Sequence, residues 1–471
     1  MSAFVPRLRH LLLHGCVALG VLVPALCPGA ALAADSITLE NIVFQIGAAT
    51  YRLPHIEFVG PNLDRERLSA LFDQNAREGS PKRLAALSAT AVNIPELVAE
   101  WSFPDGRQTV IIRGLTLQNV TAGRATRVSS TGLTSEGDLV AFASVGPIAV
   151  TDLDFGRAAD LYTAQSPPHE KESDPIVGAL DLNMIDMRTR KGSTVRADRF
   201  SISGMRALPA PSADADSSDA RHYISGVGTA SLAGVTADVA SDEVVGERLK
   251  IAIGNATLST EHPYNGLPTD ISFTVDDLAV AIPEGAQATS ARDLRDMGYE
   301  TLRGSMQFTA SWNEAASQMV GDCTLRMRDA GSIAVRATVG NVTKETFSST
   351  PAIAEAAGSN ATVKAFAVSV SDGGLLERLI ANEARKQGRS QGEVRGEFAA
   401  QWESAVASLF GAFPEALDVR RAVLHFIQQP GELEIAVKTK SPAGITWADL
   451  IATLATPAAI ADKLILSVSP K

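Results

Sequence analysis

Hydrophobic and polar residues alternate with a period of two along much of the chain, most clearly after residue 305. Apolar side chains occupy every second position in residues 306–312, 323–328 and 333–339. Successive side chains of a strand point to opposite faces, so each run predicts a strand with one apolar and one polar face. Turn residues such as Asp329-Ala330-Gly331 separate the runs. The pattern predicts an antiparallel meander and a mainly β (α+β) fold.

Shorter alternating runs occur earlier in the chain, and each contains or ends at a glycine. They cover residues 110–115, 200–205, 230–235 and 249–254. Glycine inside a strand is typical of a bulge, a bend or a tight turn. The spacing between the runs is too irregular for a solenoid repeat. The recurrence therefore predicts strands added one after another to a long antiparallel sheet.

Helical periodicity is confined to a few segments. In residues 393–409 the apolar side chains form one stripe, made of Val394, Phe398, Trp402, Ala405, Val406 and Leu409. We expect this helix to form a hairpin with a helix over residues 375–386, so that the pair spans 375–409. The other predicted helices cover residues 63–77, 82–101 with an interruption at Pro95, 447–454 and 457–464.

Two polar segments, residues 165–172 and 209–219, have the composition of linkers. They predict four parts in the chain. These are a signal peptide (1–33), an N-terminal β-rich part with two helices (34–164), a strand segment flanked by polar linkers (165–221), and a C-terminal β-meander that carries the helical hairpin 375–409 (222–471).

The N-terminus has the features of a secretory signal peptide. Arg7 and Arg9 precede an apolar stretch, and Ala-Leu-Ala at 31–33 supplies small residues for cleavage after Ala33. The stretch is broken by Pro24 and is shorter than the roughly 20 residues of a membrane-spanning helix. A retained anchor is the alternative. The residues before Cys27 do not fit a lipid-modified cysteine, so we do not expect a lipoprotein. The signal peptide predicts a mature protein outside the cytoplasm.

Charge and cysteine content narrow the class of protein. The net charge is −11, and removal of the two leader arginines leaves −13. Such a charge argues against nucleic acid as a partner and against simple electrostatic docking on anionic lipid. Cleavage also removes Cys16 and Cys27, so Cys323 remains alone and the fold depends on a hydrophobic core. Because Cys323 alternates with apolar residues, we interpret it as a buried strand cysteine.

Residues that could carry chemistry are dispersed. His55, His169, His222, His262 and His425 lack metal-ligand spacing, and His425 is interpreted as a strand residue. Asp152 and Asp154 share a face if they lie on a strand, which permits either hydrolytic chemistry or a solvated polar face. Hydrolase nucleophile and phosphate-loop motifs are missing from the sequence. We therefore assign no catalytic, cofactor-binding or metal residue, and no cofactor.

Two segments carry a family resemblance. Residues 294–300, the alternating run 306–312 and the turn at 329–333 resemble uncharacterised periplasmic proteins of alphaproteobacteria, and are similar to the C-terminal part of YdgA-type and AsmA-type envelope proteins. Residues 429–435 and 445–457 resemble the ending of such proteins, so the resemblance covers about 290–340 and 420–470. It implies a long, curved antiparallel sheet with a few helices, and a role in envelope maintenance or phospholipid handling. The chain is shorter than AsmA proteins and has a cleavable leader instead of an anchor, which puts transport between bilayers in doubt.

These observations lead to three hypotheses. The first is a non-enzymatic periplasmic protein whose sheet holds phospholipid or another apolar ligand in a groove, with peripheral membrane association. The second is an envelope scaffold with a closed core, whose protein partner docks on helices 375–409. The third is a hydrolase whose site would gather Asp152 or Asp154 with a histidine.

Overall fold

The computed structural model describes residues 35–46, 49–73, 80–103, 106–138, 140–156, 158, 175–207, 224–240, 248–264, 267–285, 288–348, 351–454 and 461–470. The predicted signal peptide and both polar linkers lie outside the described residues, as do His169 and His222. The chain forms two compact units, Met1–Ala240 and Ser241–Lys471. The predicted four-part division stays a prediction.

The described residues of unit 1 form antiparallel strands and short helices. Its strands are β1 (Ser36–Ile46), β2 (Ala49–Val59), β3 (Ala89–Phe103), β4 (Gly106–Thr121), β5 (Arg124–Ser130), β6 (Gly132–Gly137), β7 (Phe142–Val145), β8 (Ile148–Asp154), β9 (Pro175–Arg188), β10 (Thr194–Ala207), β11 (Ile224–Gly226) and β12 (Thr229–Ala240). The helices are α1 (Arg65–Ala70) and α2 (Ser80–Ala85).

Most strands of unit 1 pair with strands that are close to them in the chain. β1 to β4 form a meander, and β4 pairs with both β5 and β6, which together act as one interrupted strand. β7 and β8 likewise share the partner β9, and β9 and β12 flank β10. All of these pairs are antiparallel, which is the arrangement that period-two alternation favours.

The inward side chains of β1–β5, β8 and β9 form one large buried cluster together with α1. Tyr51, Phe58, Ile94 and Leu115 are almost inaccessible to solvent, and Leu68 of α1 is inaccessible. Because side chains from so many strands meet in one cluster, the sheet of unit 1 must curve around its own core.

Within the described residues, unit 2 contains nine further antiparallel strands and most of the helices. Its strands are β13 (Arg248–Tyr264), β14 (Leu267–Ala281), β15 (Thr301–Asn313), β16 (Gln318–Met327), β17 (Gly331–Gly340), β18 (Thr362–Asp372), β19 (Glu432–Thr439), β20 (Ile445–Thr446) and β21 (Leu464–Pro470). Its helices are α3 (Thr289–Asp296), α4 (Pro351–Ser359), α5 (Leu375–Gln387), α6 (Gln391–Phe410), α7 (Ala416–Gln428) and α8 (Trp447–Leu454), with a 3₁₀ helix at Lys344–Phe347.

The sheet of unit 2 is a meander in which β13 to β19 pair in sequence order. β21 pairs with the far side of β19, and the two-residue β20 pairs with the start of β18. α5 and α6 form the predicted helical hairpin. Ser390 begins α6 with a capping box, in which its hydroxyl accepts from the Glu393 N–H and the Glu393 carboxylate accepts from the Ser390 N–H.

The predicted fold class is confirmed: the chain is mainly β, antiparallel, with a helical hairpin near the C-terminus. Several helix predictions are wrong in extent. In residues 82–101 the helix ends at Ala85, and β3 begins at Ala89. The helix predicted at 63–77 covers Arg65–Ala70, with residues 74–79 outside the described part, and Leu464 begins β21 instead of ending a helix.

The cross-strand pairing in unit 1 is interrupted at matching positions on neighbouring strands. Asn41 and Pro54 are skipped in the pairing of β1 with β2, as Pro95 and Gly114 are in that of β3 with β4. Three glycines of the predicted alternating runs, Gly114, Gly204 and Gly234, lie at such interruptions and have φ of +55°, +65° and +62°. The register is the same on both sides of each, so these glycines mark local departures from extended backbone and not an inserted bulge residue.

Candidate functional site

One face of the sheet in unit 2 is apolar from β13 to β21. Cross-strand pairing aligns its side chains in rows, because directly opposite residues point to the same face. One complete row runs through Leu258, Phe273, Phe308, Cys323, Val335, Val368, Ile435 and Val468. An adjacent row contains Val275, Met306, Leu325, Ile333, Val370 and Leu433. We call the part of this surface on β13–β18 the apolar face.

Large side chains of the apolar face remain exposed to solvent. Leu325 is 37% exposed, its cross-strand partner Ile333 is 48% exposed, and Phe366 is 43% exposed. Leu258 at the other side is 36% exposed, and Phe273, Phe308 and Val335 between them are only half-buried. A contiguous exposed apolar surface of this kind is typical of a binding site for an apolar ligand or a partner.

Helix α7 covers the same sheet surface beyond the apolar face, on β19 and β21. Val419 and Ile427 of α7 are buried in one cluster with Leu433 of β19 and Leu466 of β21. Within the described residues, a helix therefore covers the sheet at β19 and β21, whereas Leu325, Ile333 and Phe366 on β16–β18 stay exposed.

An aromatic cluster lies at one end of the apolar face. Trp312 contacts Phe347 with ring centroids 4.7 Å apart, and Tyr264 packs edge-on against Trp312 at 5.9 Å. The Trp312 indole N–H donates to the Val342 carbonyl at 2.7 Å, which fixes the ring. This end of the apolar face is thus lined by rigid aromatic surface.

Polar interactions hold α3 and α5 at the opposite end of the strands. The Arg378 guanidinium lies over the Tyr299 ring, 4.7 Å from its centroid, and the Tyr299 hydroxyl donates to the Asp329 carbonyl at 2.7 Å. Burial raises the pKa of Tyr299, and the positive charge of Arg378 partly opposes this. Tyr299 therefore stays neutral at physiological pH and acts as a structural donor.

The acidic pair proposed for hydrolysis has an ordinary structural environment. Asp152 is exposed on β8 with φ of +52°, and Asp154 pairs with Arg124 of the neighbouring strand at 3.3 Å. His55, in the same unit, is an exposed residue of β2. His55 lies opposite Glu40 of β1, whereas β8 pairs with β5 and β9, so the strand pairing does not place His55 beside either aspartate.

The remaining candidates are also dispersed. His262 is exposed beside a turn, with Nδ1 2.9 Å from Asp270 Oδ2. The interpretation of His425 as a strand residue is wrong, because it lies on α7. Cys323 lies on β16 as predicted, but it is half-buried on the apolar face and not fully buried. Among the described residues, no three potential ligands cluster to hold a metal ion.

Helix α7 and the cavity beside it were not predicted from the sequence. Val419, Val423 and Ile427 follow helical spacing, and this was the available signal. A cavity of about 540 Å³ lies between α7 and β21, lined by Glu415, Asp418, Arg421, Ala422, His425, Leu466, Ser467 and Val468. Its charged residues carry both signs, and they do not form a recognisable catalytic arrangement.

The predicted apolar stripe of α6 is split by the structure. Val394 and Val406 are buried, whereas Trp402 is 53% exposed and Leu409 is 61% exposed. Two large side chains of the hairpin therefore face solvent instead of a core.

Comparison with known proteins gives little functional information. A family described only as uncharacterised protein matches residues 324–471, from within β16 to the C-terminus. The match includes β17–β19, β21 and helices α4–α8, but less than half of the chain. No curated protein matches the chain. Within the described residues, none of the helices combines the length and hydrophobicity needed to cross a membrane.

Proposed function

We propose that the chain is a non-enzymatic, exported envelope protein of the periplasm that holds a lipid acyl chain or another apolar ligand against the apolar face. The exposure of Leu325, Ile333 and Phe366 on three neighbouring strands carries this proposal. Export is supported by the signal-peptide pattern of the first 33 residues. The resemblance to AsmA-type envelope proteins supports phospholipid as the ligand.

The dimensions of the apolar face suit an extended acyl chain. Neighbouring strands lie about 4.8 Å apart, so six strands span roughly 24 Å across the face. The hydrocarbon of one membrane leaflet is about 15 Å thick, half of a 30 Å core. Full burial of a Leu, Ile or Phe side chain contributes about 1.5–3 kcal/mol. Covering the exposed part of each of the three side chains would contribute about 1 kcal/mol, or about 3 kcal/mol together. The rest of the roughly 8 kcal/mol of micromolar binding would come from burial of the acyl chain itself, at about 0.8 kcal/mol for each CH₂ group.

The test combines a search for natural ligand with a binding assay. Mature protein purified from its own envelope would be weighed by native mass spectrometry, and the same sample would be extracted for lipid. We expect phospholipid at a fixed ratio. The proposal would be contradicted by a mass equal to that of the protein alone, together with no uptake of a fluorescent fatty acid.

Substitutions on the two faces of β17 give a matched comparison. We expect Ile333→Gln to weaken binding of the fluorescent fatty acid by about fivefold to tenfold. The Ile333 side chain is about half exposed, and the substitution puts a polar amide where the ligand would contact an apolar surface. Arg336→Gln lies on the same strand but on the polar face, and should change binding less than twofold. Equal effects of the two substitutions would show that the ligand does not occupy the apolar face.

A second candidate is a scaffold whose protein partner docks on the helical hairpin, and the exposed Trp402 and Leu409 of α6 favour it. The same native mass spectrum separates the candidates. A complex with a protein subunit and no lipid would favour the scaffold.

A further inference from the structure

Six arginines on the described strands face a carboxylate on the next strand. Arg113 pairs with Glu96, Arg196 with Asp186 and Arg336 with Asp322, in each case directly across two strands. Arg52, Arg124 and Arg199 also have acidic partners on adjacent strands. Opposite charges on facing residues stabilise a sheet, whereas like charges destabilise it.

Three arginines at one end of unit 2 break this pattern. Arg328 faces Arg303, since its backbone N–H donates to the Arg303 carbonyl at 2.7 Å and continues the β15–β16 ladder by one rung. Arg326 lies two residues before Arg328. It faces Ser305 of β15 and points to the same polar face. All three side chains are exposed, and within the described residues none of them has an ion pair or a side-chain hydrogen bond.

The spacing brings the three positive charges close together. Directly opposite residues of an antiparallel pair have Cβ atoms about 4.5–5.5 Å apart, and residues two apart on one strand lie about 7 Å apart. In a chain with a net charge of −11, acidic residues are available to neutralise such a group, yet none pairs with it in the part of the chain that the structure describes. An unneutralised cluster of this kind costs stability unless an anion binds to it.

We propose that Arg303, Arg326 and Arg328 form a binding site for a phosphate group of a monoester or diester ligand. Arginine presents a planar fork of N–H donors that matches the oxygen atoms of phosphate, and the register places three arginines within one rung or two residues of one another on two neighbouring strands. The group can come from a lipid headgroup or from a free phosphate compound. The site lies on the polar side of the sheet, so it is independent of the ligand proposed for the apolar face.

The test uses the full mature chain and two probes. Glycerol 3-phosphate would be titrated in a calorimeter, and phosphatidylcholine vesicles with or without phosphatidylglycerol would be sedimented with the protein. We expect saturable binding that Arg303→Gln and Arg328→Gln each weaken by about tenfold, which is the effect of removing one charge-assisted contact. Arg336→Gln removes the same charge from the same face and should change binding less than twofold.

The two probes distinguish the source of the phosphate group. Binding of glycerol 3-phosphate identifies a free phosphate compound as sufficient, whereas binding only to vesicles with phosphatidylglycerol identifies the lipid headgroup. The proposal is overturned if neither probe binds, or if Arg336→Gln weakens binding as much as the other two substitutions. Loss of acyl-chain binding would not affect this result, because the apolar face is tested separately by Ile333→Gln.

Thermal unfolding gives an independent readout of the cluster. In phosphate-free buffer of low ionic strength, Arg303→Gln should raise the melting temperature, because it removes repulsion between facing arginines. The increase should vanish in 1 M salt, where charges are screened within about 3 Å. A lower melting temperature at low salt would mean that Arg303 has a structural role, and would contradict the proposal.

Discussion

At the scale of single residues, two hairpin glycines show how much the surroundings decide the effect of one methyl group. Gly123 and Gly192 have nearly the same backbone conformation, with φ of +77° and +76°. A Cβ atom on Gly123 would lie 2.8 Å from the Ala85 Cα atom and 2.9 Å from the Leu84 carbonyl oxygen, whereas a Cβ on Gly192 meets nothing within 4 Å. The β4–β5 turn thus approaches the backbone of α2 so closely that only glycine fits.

This comparison predicts different costs for the same substitution. Gly192→Ala should lower the free energy of unfolding by about 1–2 kcal/mol, the cost of a left-handed alanine. Gly123→Ala should cost about 1–3 kcal/mol more, because backbone atoms cannot move aside as a flexible side chain can. Urea denaturation of both variants measures the difference. Equal losses would mean that α2 does not contact the turn in solution.

Individual residues of the candidate site were predictable only in part. Alternation along the chain is sufficient to assign Leu325 and Ile333 to the apolar face and Arg326 to the polar face. It does not reveal that Arg303 faces Arg328, because register depends on the length and geometry of the turns between strands. The arginine cluster was therefore invisible in the sequence.

At the scale of elements, β3 explains why a strand was predicted as a helix. From Val92 onward its buried residues are Val92, Ile94, Leu97, Ala99 and Trp101, so the spacing changes from two to three at Pro95. The irregularity opposite Gly114 shifts the inward positions by one residue, and Ile94–Leu97 then has the spacing of a helix. The same change separates Leu53 from Ile56 on β2. Such interruptions of the ladder thus remove the period-two signal at the place where they occur.

Helix α7 is the element that closes one part of the sheet of unit 2. Val419 is fully buried against β19 and β21, while Leu417 on the same helix is 61% exposed. The buried side chain loses its packing when it is shortened, and the exposed one does not.

We expect Val419→Ala to lower the free energy of unfolding by about 2 kcal/mol and Leu417→Ala to change it by less than about 0.5 kcal/mol. Chemical denaturation followed by circular dichroism provides the measurement. If the two variants were equally stable, the proposed cover of β19 and β21 by α7 would be incorrect.

At the scale of the whole molecule, the two units differ in how they bury apolar surface. Unit 1 has a large cluster that includes side chains from β1–β5, β8, β9, α1 and the segment around α2, all within residues 37–202. In unit 2 the main described clusters lie between α7 and the last strands and between α5 and α6. The strands β13–β18 contribute little to either.

This difference predicts distinct behaviour of the separated units. Residues 35–240 expressed alone should unfold in one cooperative transition, because their core does not depend on unit 2. Residues 241–471 alone should unfold at a lower urea concentration and bind a hydrophobic dye in the native state, because the apolar face is open. Calorimetry of residues 35–240, urea denaturation of both units and dye fluorescence provide the measurements. A more stable second unit without dye binding would contradict this description.

Local periodicity was enough to predict the β-rich class, the antiparallel meander, the hairpin of α5 and α6 and the two-sided character of β15–β17. A strand fixes the side on which each residue lies, so these features can be read from neighbouring positions in the chain. The folded chain was needed to show that α7 covers β19 and β21, that Ile333 and Phe366 stay exposed, and that Arg303 meets Arg328. Cover and register depend on contacts between residues far apart in the chain, and a local pattern of polarity contains no information about which distant element will provide them.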